Sequence, residues 1–287
     1  MAIIAEEEDK FKLNNRLVDL LKNYSYSGSF NENISLHHLL THTSGIPDYD
    51  AVAPQLSEDN FRAFKRLHFD NKEYIDFISQ LRAVGKPGKQ FHYSNFAYHL
   101  VCIILEDAYE MPFDELLEKK ILEPLNMQST YSTSNNAKIQ KQLAKGYLYT
   151  KNKWQENPFI DLTLGRRVFS TANDLYKWAA AFNDSSFFTL ESLDKIKKNH
   201  IKKITDKFSY GYGWVVFDEG ELFDMGDLNI DDPYIIHGGS TDGYKSMLIN
   251  INNGEWIISM LANSGNRTDQ FQLIEKIIQM LNENKNR

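Results

Sequence analysis

Apolar residues recur at helical spacing in several stretches of the chain. From Tyr93 to Tyr109, Phe96, Leu100, Ile103 and Ile104 fall along one side, which predicts an amphipathic helix. A second helix is predicted from Pro112, a good first-turn residue, to about Leu122. Ser170-Thr171-Ala172-Asn173-Asp174 opens a third, with Leu175, Trp178, Ala179 and Phe182 inward. The last runs from Arg267 to Asn282 and places Phe271, Ile274, Ile278 and Leu281 on one face. Shorter pieces precede these. Met1 to Tyr24 reads as a helical end, a break near Asp9 to Lys12, then a turn through Leu17, Leu20 and Leu21. Ile34-Ser35-Leu36 leads into an element over His37 to Thr43, which Gly45 and Pro47 end. Residues 48 to 72 are polar and irregular apart from a helix around Phe61 to Leu67, and Gly85-Lys86-Pro87-Gly88 is a firm turn.

Residues 128 to 160 are mixed and aromatic, a strand-and-loop pattern. In the C-terminal third, Tyr212 to Phe217, Lys245 to Asn252 and Glu255 to Ala262 read as strands. The last two flank Asn253-Gly254, the strongest short hairpin signal. A helical middle followed by an antiparallel sheet and a closing helix predicts an α+β fold. Residues of about 35–205 form its mainly helical part, and about 206–287 the strands and final helix, within a single domain over 1–287.

Composition narrows the function classes. Hydrophobic residues make up 42% and charged residues 25% of 287, enough for a sizeable core. A formal charge of -7 gives no reason to expect nucleic acid as a partner. The six lysines between Lys195 and Lys207 are read as a solvated helix face and loop. With one cysteine, Cys102, there is no intrachain disulfide, and its apolar surroundings predict a buried, inert thiol. No apolar run reaches the roughly 18 residues of a membrane span. The start, Met1-Ala2-Ile3-Ile4-Ala5 followed by three glutamates, lacks the basic region and cleavage site of a signal peptide. An export signal of a longer parent would lie upstream of Met1, so the compartment stays open, as does the oligomeric state.

Three patterns then follow in order: Ile34 to Tyr49 (ISLHHLLTHTSGIPDY), Tyr93-Ser94-Asn95 with Ile121 to Met127 beyond it, and His237 to Tyr244 (HGGSTDGY). Phe169 to Leu175 and Tyr210-Gly211-Tyr212-Gly213-Trp214 agree with them. Each alone is weak, since Tyr-x-Asn arises by chance. Their order and spacing over residues of about 1 to 285 resemble the serine β-lactamase and penicillin-binding-protein family, with its DD-peptidase and esterase relatives.

That resemblance implies a β-lactamase/transpeptidase-like fold, an antiparallel sheet flanked by helices plus a helical region. It implies hydrolysis of amide, lactam or ester carbonyls through an acyl-enzyme, on a small-molecule or peptidoglycan-like substrate, with no metal or organic cofactor. Tyr93 matches the tyrosine that shuttles a proton, and Asn95 the asparagine that donates to the substrate's amide. His237, Gly238 and Gly239 stand where the family has Lys-Thr-Gly or His-x-Gly, and the Ser240 N–H is half of an oxyanion hole. Gly238, Gly239 and Thr241 would contact substrate, the glycines leaving the strand edge bare. A phenol with pKa near 10 is only about 0.1% ionised at pH 7, so Tyr93 needs positive charge nearby to act as a base. His237 and a Ser-x-x-Lys lysine are the expected sources.

The resemblance also implies a Ser-x-x-Lys pair preceding Tyr93. The one such pair is Ser192 with Lys195, which follows Tyr93 and sits in polar surroundings, so it reads as chance. The expected nucleophile, with the first strands of the sheet, therefore falls before Met1, leaving an incomplete domain with an open strand edge. Loss of a nucleophile costs on the order of 10⁶ in turnover, so the chain alone is expected to be inactive. The intact Tyr93, Asn95 and His237 favour a longer parent hydrolase. The alternative is a non-catalytic binding module or remnant on the same fold.

His37, His38 and His42 invite a metal reading, since His38 and His42 are four apart. Leu39, where a zinc hydrolase helix carries Glu, and the lack of neighbouring acidic ligands favour structural histidines at the pocket rim. Asp48 and Tyr49 are expected at its mouth. Gly165-Arg166-Arg167 replaces a Gly-Gly pair common in the family; the arginines narrow the pocket, bind a carboxylate, or face solvent.

Overall fold

A computed structural model describes residues 1–65, 67–133, 143–157, 167–218, 228, 230–241 and 243–285. Its centre is a four-stranded antiparallel sheet in the order β5-β6-β7-β8. These strands are Val215–Phe217, Tyr234–Thr241, Tyr244–Ile251 and Trp256–Ala262. Period-two alternation gives the sheet two different faces. Tyr234 and Ile236 of β6, with Met247, Ile249 and Ile251 of β7, bury against Ile274 and Ile278 of helix α10, Gln270–Lys285. Each such aliphatic side chain contributes roughly 1.5–3 kcal/mol when buried. Ile235 and Leu248 point the other way, into the larger core beneath the helical region. The β7–β8 hairpin turns at Asn252, Asn253 and Gly254, all with positive φ, as Asn-Gly predicts. The expected face of α10 is kept at Ile274 and Ile278, but Phe271 is 40% exposed.

The helical region contributes α1 (Ala2–Glu7), α2 (Leu17–Leu20), α3 (Leu36–Leu40), α4 (Glu58–Phe64) and α5 (Asn71–Ser79). It continues with α6 (Asn95–Tyr109), α7 (Phe113–Leu117), α8 (Ala172–Ala180) and α9 (Leu190–Lys197). In α6 the predicted stripe Phe96, Leu100, Ile103 and Ile104 is buried. Cys102, on the flank of that stripe, is only partly buried, which corrects the expectation of a fully buried thiol. α8 packs on the sheet, where buried Asn250 of β7 donates to the Ala179 carbonyl and to Asn183 Oδ1, at 2.8 and 2.5 Å.

α1 is buried through Ala2, Ile3 and Ala5, and the three glutamates behind it tie it to neighbouring elements. Glu6 pairs with Lys195 at 3.1 Å, Glu7 accepts from Thr189 Oγ1 at 2.7 Å, and Glu8 pairs with Lys120 at 2.7 Å. Strands β1 (Tyr131–Thr133) and β4 (Arg167–Phe169) pair with each other, and β2 (Gly146–Thr150) pairs with β3 (Lys153–Asn157). No described helix is long and apolar enough to cross a membrane.

Candidate active site

The site starts from two interlocked turns. Ser35 caps α3, which ends at Leu40, and His42 then takes a left-handed φ of 55° while only 1% exposed. Gly45 has φ 76°, and a Cβ there would lie 2.2 Å from the Gly85 carbonyl oxygen, so glycine is required twice over. Three backbone bonds lock the turns together: Gly88 N–H to Thr43 O, Val84 N–H to Gly45 O, and His92 N–H to His42 O, at 2.8, 2.9 and 2.8 Å. This lock delivers Tyr93-Ser94-Asn95 onto the His42 ring.

Ser94 is the N-cap of α6 and is fully buried. Its hydroxyl accepts from Ala97 N–H at 3.0 Å and donates to the Pro47 carbonyl at 2.8 Å, while its own N–H donates to His42 Nδ1 at 3.0 Å. The buried cap leaves its two neighbours facing outward. Tyr93 lies on His42 with ring centroids 4.2 Å apart and an interplanar angle of 36°, and its centroid is 6.5 Å from that of His237. It is half-exposed, and its hydroxyl has no hydrogen-bond partner among the described residues. Desolvation and then the Asp48 charge push its pKa up, offset in part by Arg167, so the hydroxyl is a proton donor at neutral pH. Asn95 donates from Nδ2 to Asp48 Oδ2 at 2.8 Å. Burial raises the Asp48 pKa, and the Asn95 bonds hold it down in part.

His237 reaches the same place from β6. The Gly238 carbonyl lies 2.9 Å from His237 Nδ1 and can only accept, so Nδ1 carries hydrogen. Nε2 then faces the Tyr210 hydroxyl at 3.4 Å. Burial lowers the pKa of His237, so the ring is neutral at pH 7. That direction opposes the positive charge expected of His237 beside Tyr93. Desolvation of the imidazolium outweighs the one bond that favours it.

β6 is covered on one side by β7 along its whole length, but β5 pairs only with residues 234–236. The cause is the turn just before β5, where Gly211 N–H bonds to Trp214 O at 2.8 Å and Gly213 has φ 85°. From His237 to Thr241, no described strand occupies that side. Gly239 shares the His237 face, and a Cβ there would meet Ser246 Oγ at 2.3 Å. Gly238 faces α10, where a Cβ would meet Gln270 Nε2 at 3.0 Å, so its bare Cα serves that helix and not the site face. The Ser240 side chain also points toward α10 and accepts from Lys245 Nζ at 2.7 Å, leaving only its backbone for the role expected of it. Thr241 is on the His237 face with Oγ1 buried and unpartnered among the described residues.

The other histidines separate. His38 completes the α3 capping box, its Nδ1 accepting from Ser35 N–H at 3.1 Å. His37 meets Tyr212 Oη at 2.8 Å and packs edge-on to His200 at 5.2 Å. Because α3 stops at Leu40, His42 does not share a helix face with His38. Tyr49 packs on Phe96 and Phe61 instead of lining a mouth. Gly165 and Arg166 lie outside the described residues; Arg167 is in β4, within electrostatic reach of Tyr93.

Ser192 differs from its polar expectation in being buried, at 3% exposure in the first turn of α9. Its hydroxyl donates to Glu7 and Lys195 is engaged by Glu6 and Glu191. Neither group of this Ser-x-x-Lys pair is arranged as a nucleophile facing Tyr93. Sequence reasoning placed His42 at the pocket rim only as a structural histidine and missed Tyr210 as a member of the site. Both lie inside quoted motifs, yet nothing local ties residue 42 to residue 210 or 237. A cleft of about 670 Å³, lined by Tyr24, Phe69, Glu106, Asp107, Met111 and Phe113 among others, contains none of the motif residues.

The chain is 23% identical over 290 residues to penicillin-binding protein 4* of Bacillus subtilis (strain 168), covering 96% of this chain and 60% of that protein. It spans about half to three fifths of the length of the curated relatives it matches. Among solved structures it is similar to the octameric penicillin-binding protein homologue from Pyrococcus abyssi, with a TM-score of 0.77 and 24% identity over 98% of this chain and 63% of that one. A D-stereospecific amidohydrolase from Streptomyces sp. gives a TM-score of 0.78 at 19% identity, over 96% and 81%. The family model described as Beta-lactamase matches residues 1–279, and the chain belongs to that family.

Proposed function

We propose that this chain carries the proton-transfer and substrate-facing part of a serine acyl-transfer site that hydrolyses amide, lactam or ester carbonyls. The observation that carries the reading is the convergence of Tyr93 and His237, 6.5 Å apart between ring centroids, beside the stretch of β6 that no described strand pairs on the side opposite β7. Tyr93 holds the proton to be passed to the leaving group, consistent with its raised pKa. Asn95, its amide oriented by Asp48, donates its second Nδ2 hydrogen to the substrate's acyl side. His237 acts as a neutral hydrogen-bonding group, and the Ser240 N–H stabilises the oxyanion. Gly239 and Thr241 border the bound acyl group, and Gly238 contributes only its backbone. The structurally similar protein from Streptomyces sp. is a D-stereospecific amidohydrolase, which supports an amide among the substrates.

In this reading the nucleophile belongs to a Ser-x-x-Lys pair other than Ser192 and Lys195, and the 287 residues on their own bind substrate without turning it over. The test is covalent labelling by a fluorescent penicillin and an activated ester, followed by mass spectrometry. It is applied to the chain and to a longer form carrying a Ser-x-x-Lys segment ahead of it. Labelling confined to the longer form, and slowed on the order of 100-fold or more by Tyr93→Phe, is the expected result. Undiminished labelling in Tyr93→Phe and His237→Ala would overturn the assignment. Reversible binding in both forms with no label in either supports the binding-module alternative.

A further inference from the structure

His42 is held more tightly than its place in a surface-near turn requires. Its ring stacks with Tyr93 at 4.2 Å and with Tyr98 at 4.7 Å, and meets Tyr210 and Phe91 edge-on at 4.9 and 5.8 Å. Nδ1 lies 3.0 Å from the Ser94 amide nitrogen and Nε2 lies 3.2 Å from Tyr210 Oη. The Tyr98 hydroxyl donates to the Leu40 carbonyl at 2.6 Å. His92 and His237 are the charged or titratable side chains whose fields reach it.

The backbone decides where the protons sit. An amide N–H only donates, so the Ser94 N–H makes His42 Nδ1 an acceptor and puts the ring hydrogen on Nε2. His42 Nε2–H therefore donates to Tyr210, which frees the Tyr210 proton to go onward to His237 Nε2 at 3.4 Å. At the far end a carbonyl only accepts, so His237 Nδ1–H points at Gly238 O. One donor end on α6 and one acceptor end on β6 agree on the same polarity, with Tyr98 the competing acceptor for the Tyr210 proton.

We propose that His42 is a positioning residue of this site: it seats Tyr93 from beneath and, through Tyr210, fixes the tautomer and ring orientation of His237. It acts on both groups without itself touching a substrate. The functional consequence rests on the proposed acyl-transfer reading, whereas the hydrogen-bond assignment stands independently of it. A merely structural, satisfied core histidine would hold the Ser94 turn but have no bearing on His237.

Long-range ¹H–¹⁵N NMR of the chain with ¹⁵N-histidine tests it at pH 7.5. The expected result is a neutral Nε2–H tautomer for His42 and a neutral Nδ1–H tautomer for His237. In Tyr210→Phe, His42 keeps its tautomer while the His237 Nε2 resonance moves toward that of an imidazole nitrogen accepting no bond. An Nδ1–H or protonated His42 overturns the proposal. So does an unmoved His237 Nε2 signal in Tyr210→Phe, the outcome if Tyr210 gives its proton to Tyr98 instead. Both measurements apply to folded protein, so a His42→Phe variant that fails to fold does not remove the test. In the labelling-competent longer form, Tyr210→Phe is expected to slow acylation by about tenfold to 100-fold, with half-saturation within about twofold. An unchanged rate overturns the functional part. No activity in the parent, with the tautomers as stated, overturns the proposed function and leaves the positioning assignment standing.

Discussion

Acidification should unfold this protein through His42 before its carboxylates are exhausted. The ring is 1% exposed, and burial, with the nearby His237 and His92, lowers its pKa from the ordinary 6.5 to about 3. The folded state therefore stays unprotonated at His42 down to about pH 3, while the unfolded state takes up a proton below pH 6.5. The unfolded state binds more protons across that window, so stability rises with pH and is lost as pH falls. At about 1.4 kcal/mol per pH unit, moving from pH 6.5 to 4.5 removes about 3 kcal/mol through this one residue. That is a large part of a typical total of about 5–15 kcal/mol. Urea denaturation followed by far-UV circular dichroism, at steps from pH 7.5 to 4.5, gives the curve for the parent and for His42→Phe. The variant keeps a flat ring but leaves the Ser94 N–H unsatisfied, so it should be weaker at pH 7.5 by about 1–3 kcal/mol. Its pH dependence should be shallower by about 3 kcal/mol over the same range, because the titrating group is gone. The titrating groups that are not coupled to His42 remain in both proteins and cancel in the difference, leaving His237 and His92 as the coupled groups. Parallel curves for parent and variant would refute the reasoning.

Other consequences are equally concrete. Gly45→Ala places a Cβ 2.2 Å from the Gly85 oxygen at a φ of 76°, and should lower the thermal midpoint by several degrees or abolish folding; an unchanged melt refutes the interlocked-turn account. Asp174, 2% exposed, accepts from Ser129 N–H and Thr130 Oγ1 at 2.8 and 2.9 Å and pairs with Lys177 at 2.9 Å. Asp174→Ala should cost about 3 kcal/mol in urea unfolding at pH 7, with less difference from the parent as pH falls below the ordinary carboxylate range, because the lowered native pKa makes this contribution vanish in acid. Ser192→Ala should leave labelling by activated esters unchanged, since the Ser192 hydroxyl is committed to Glu7; loss of label in the variant would show that Ser192 is the nucleophile after all.

Local chemistry was the legible part of this fold. The α6 stripe, the Asn253-Gly254 hairpin and the cap at Thr171 follow from spacing and turn preferences alone, and the structure places them within a few residues of their predicted bounds. α5 goes unread in the hydrophobic pattern, although Asp70 and Glu73 form a capping box that is visible in the sequence. Phe271 shows the limit of periodicity: it lies three residues from Ile274, yet the first turn of α10 sits over Gly238 through Gln270 and leaves Phe271 facing outward. For the candidate site, motif order located Tyr93 and His237, but the charge state of His237 could not be read there. That state depends on burial among residues distant in sequence, such as Tyr210, 27 positions away. Long-range pairing of this kind, like that of Tyr131 with Phe169, leaves no local trace.

The three residues of β5 have a further consequence for what β6 can do. Beyond Ile236 the peptide groups of β6 stay clamped from one side by β7, so they keep strand geometry with or without a neighbour on the other. An extended ligand added there would supply a new rung to a ladder whose opposite rail is already rigid. The ordering entropy of that addition would then fall almost wholly on the ligand, and a ligand stiff in its extended form would gain the most. Lengthening β5 by two paired residues would fill the same gap from within the chain, so among the described residues the shortness of this strand, more than any side chain on it, leaves that edge without a strand.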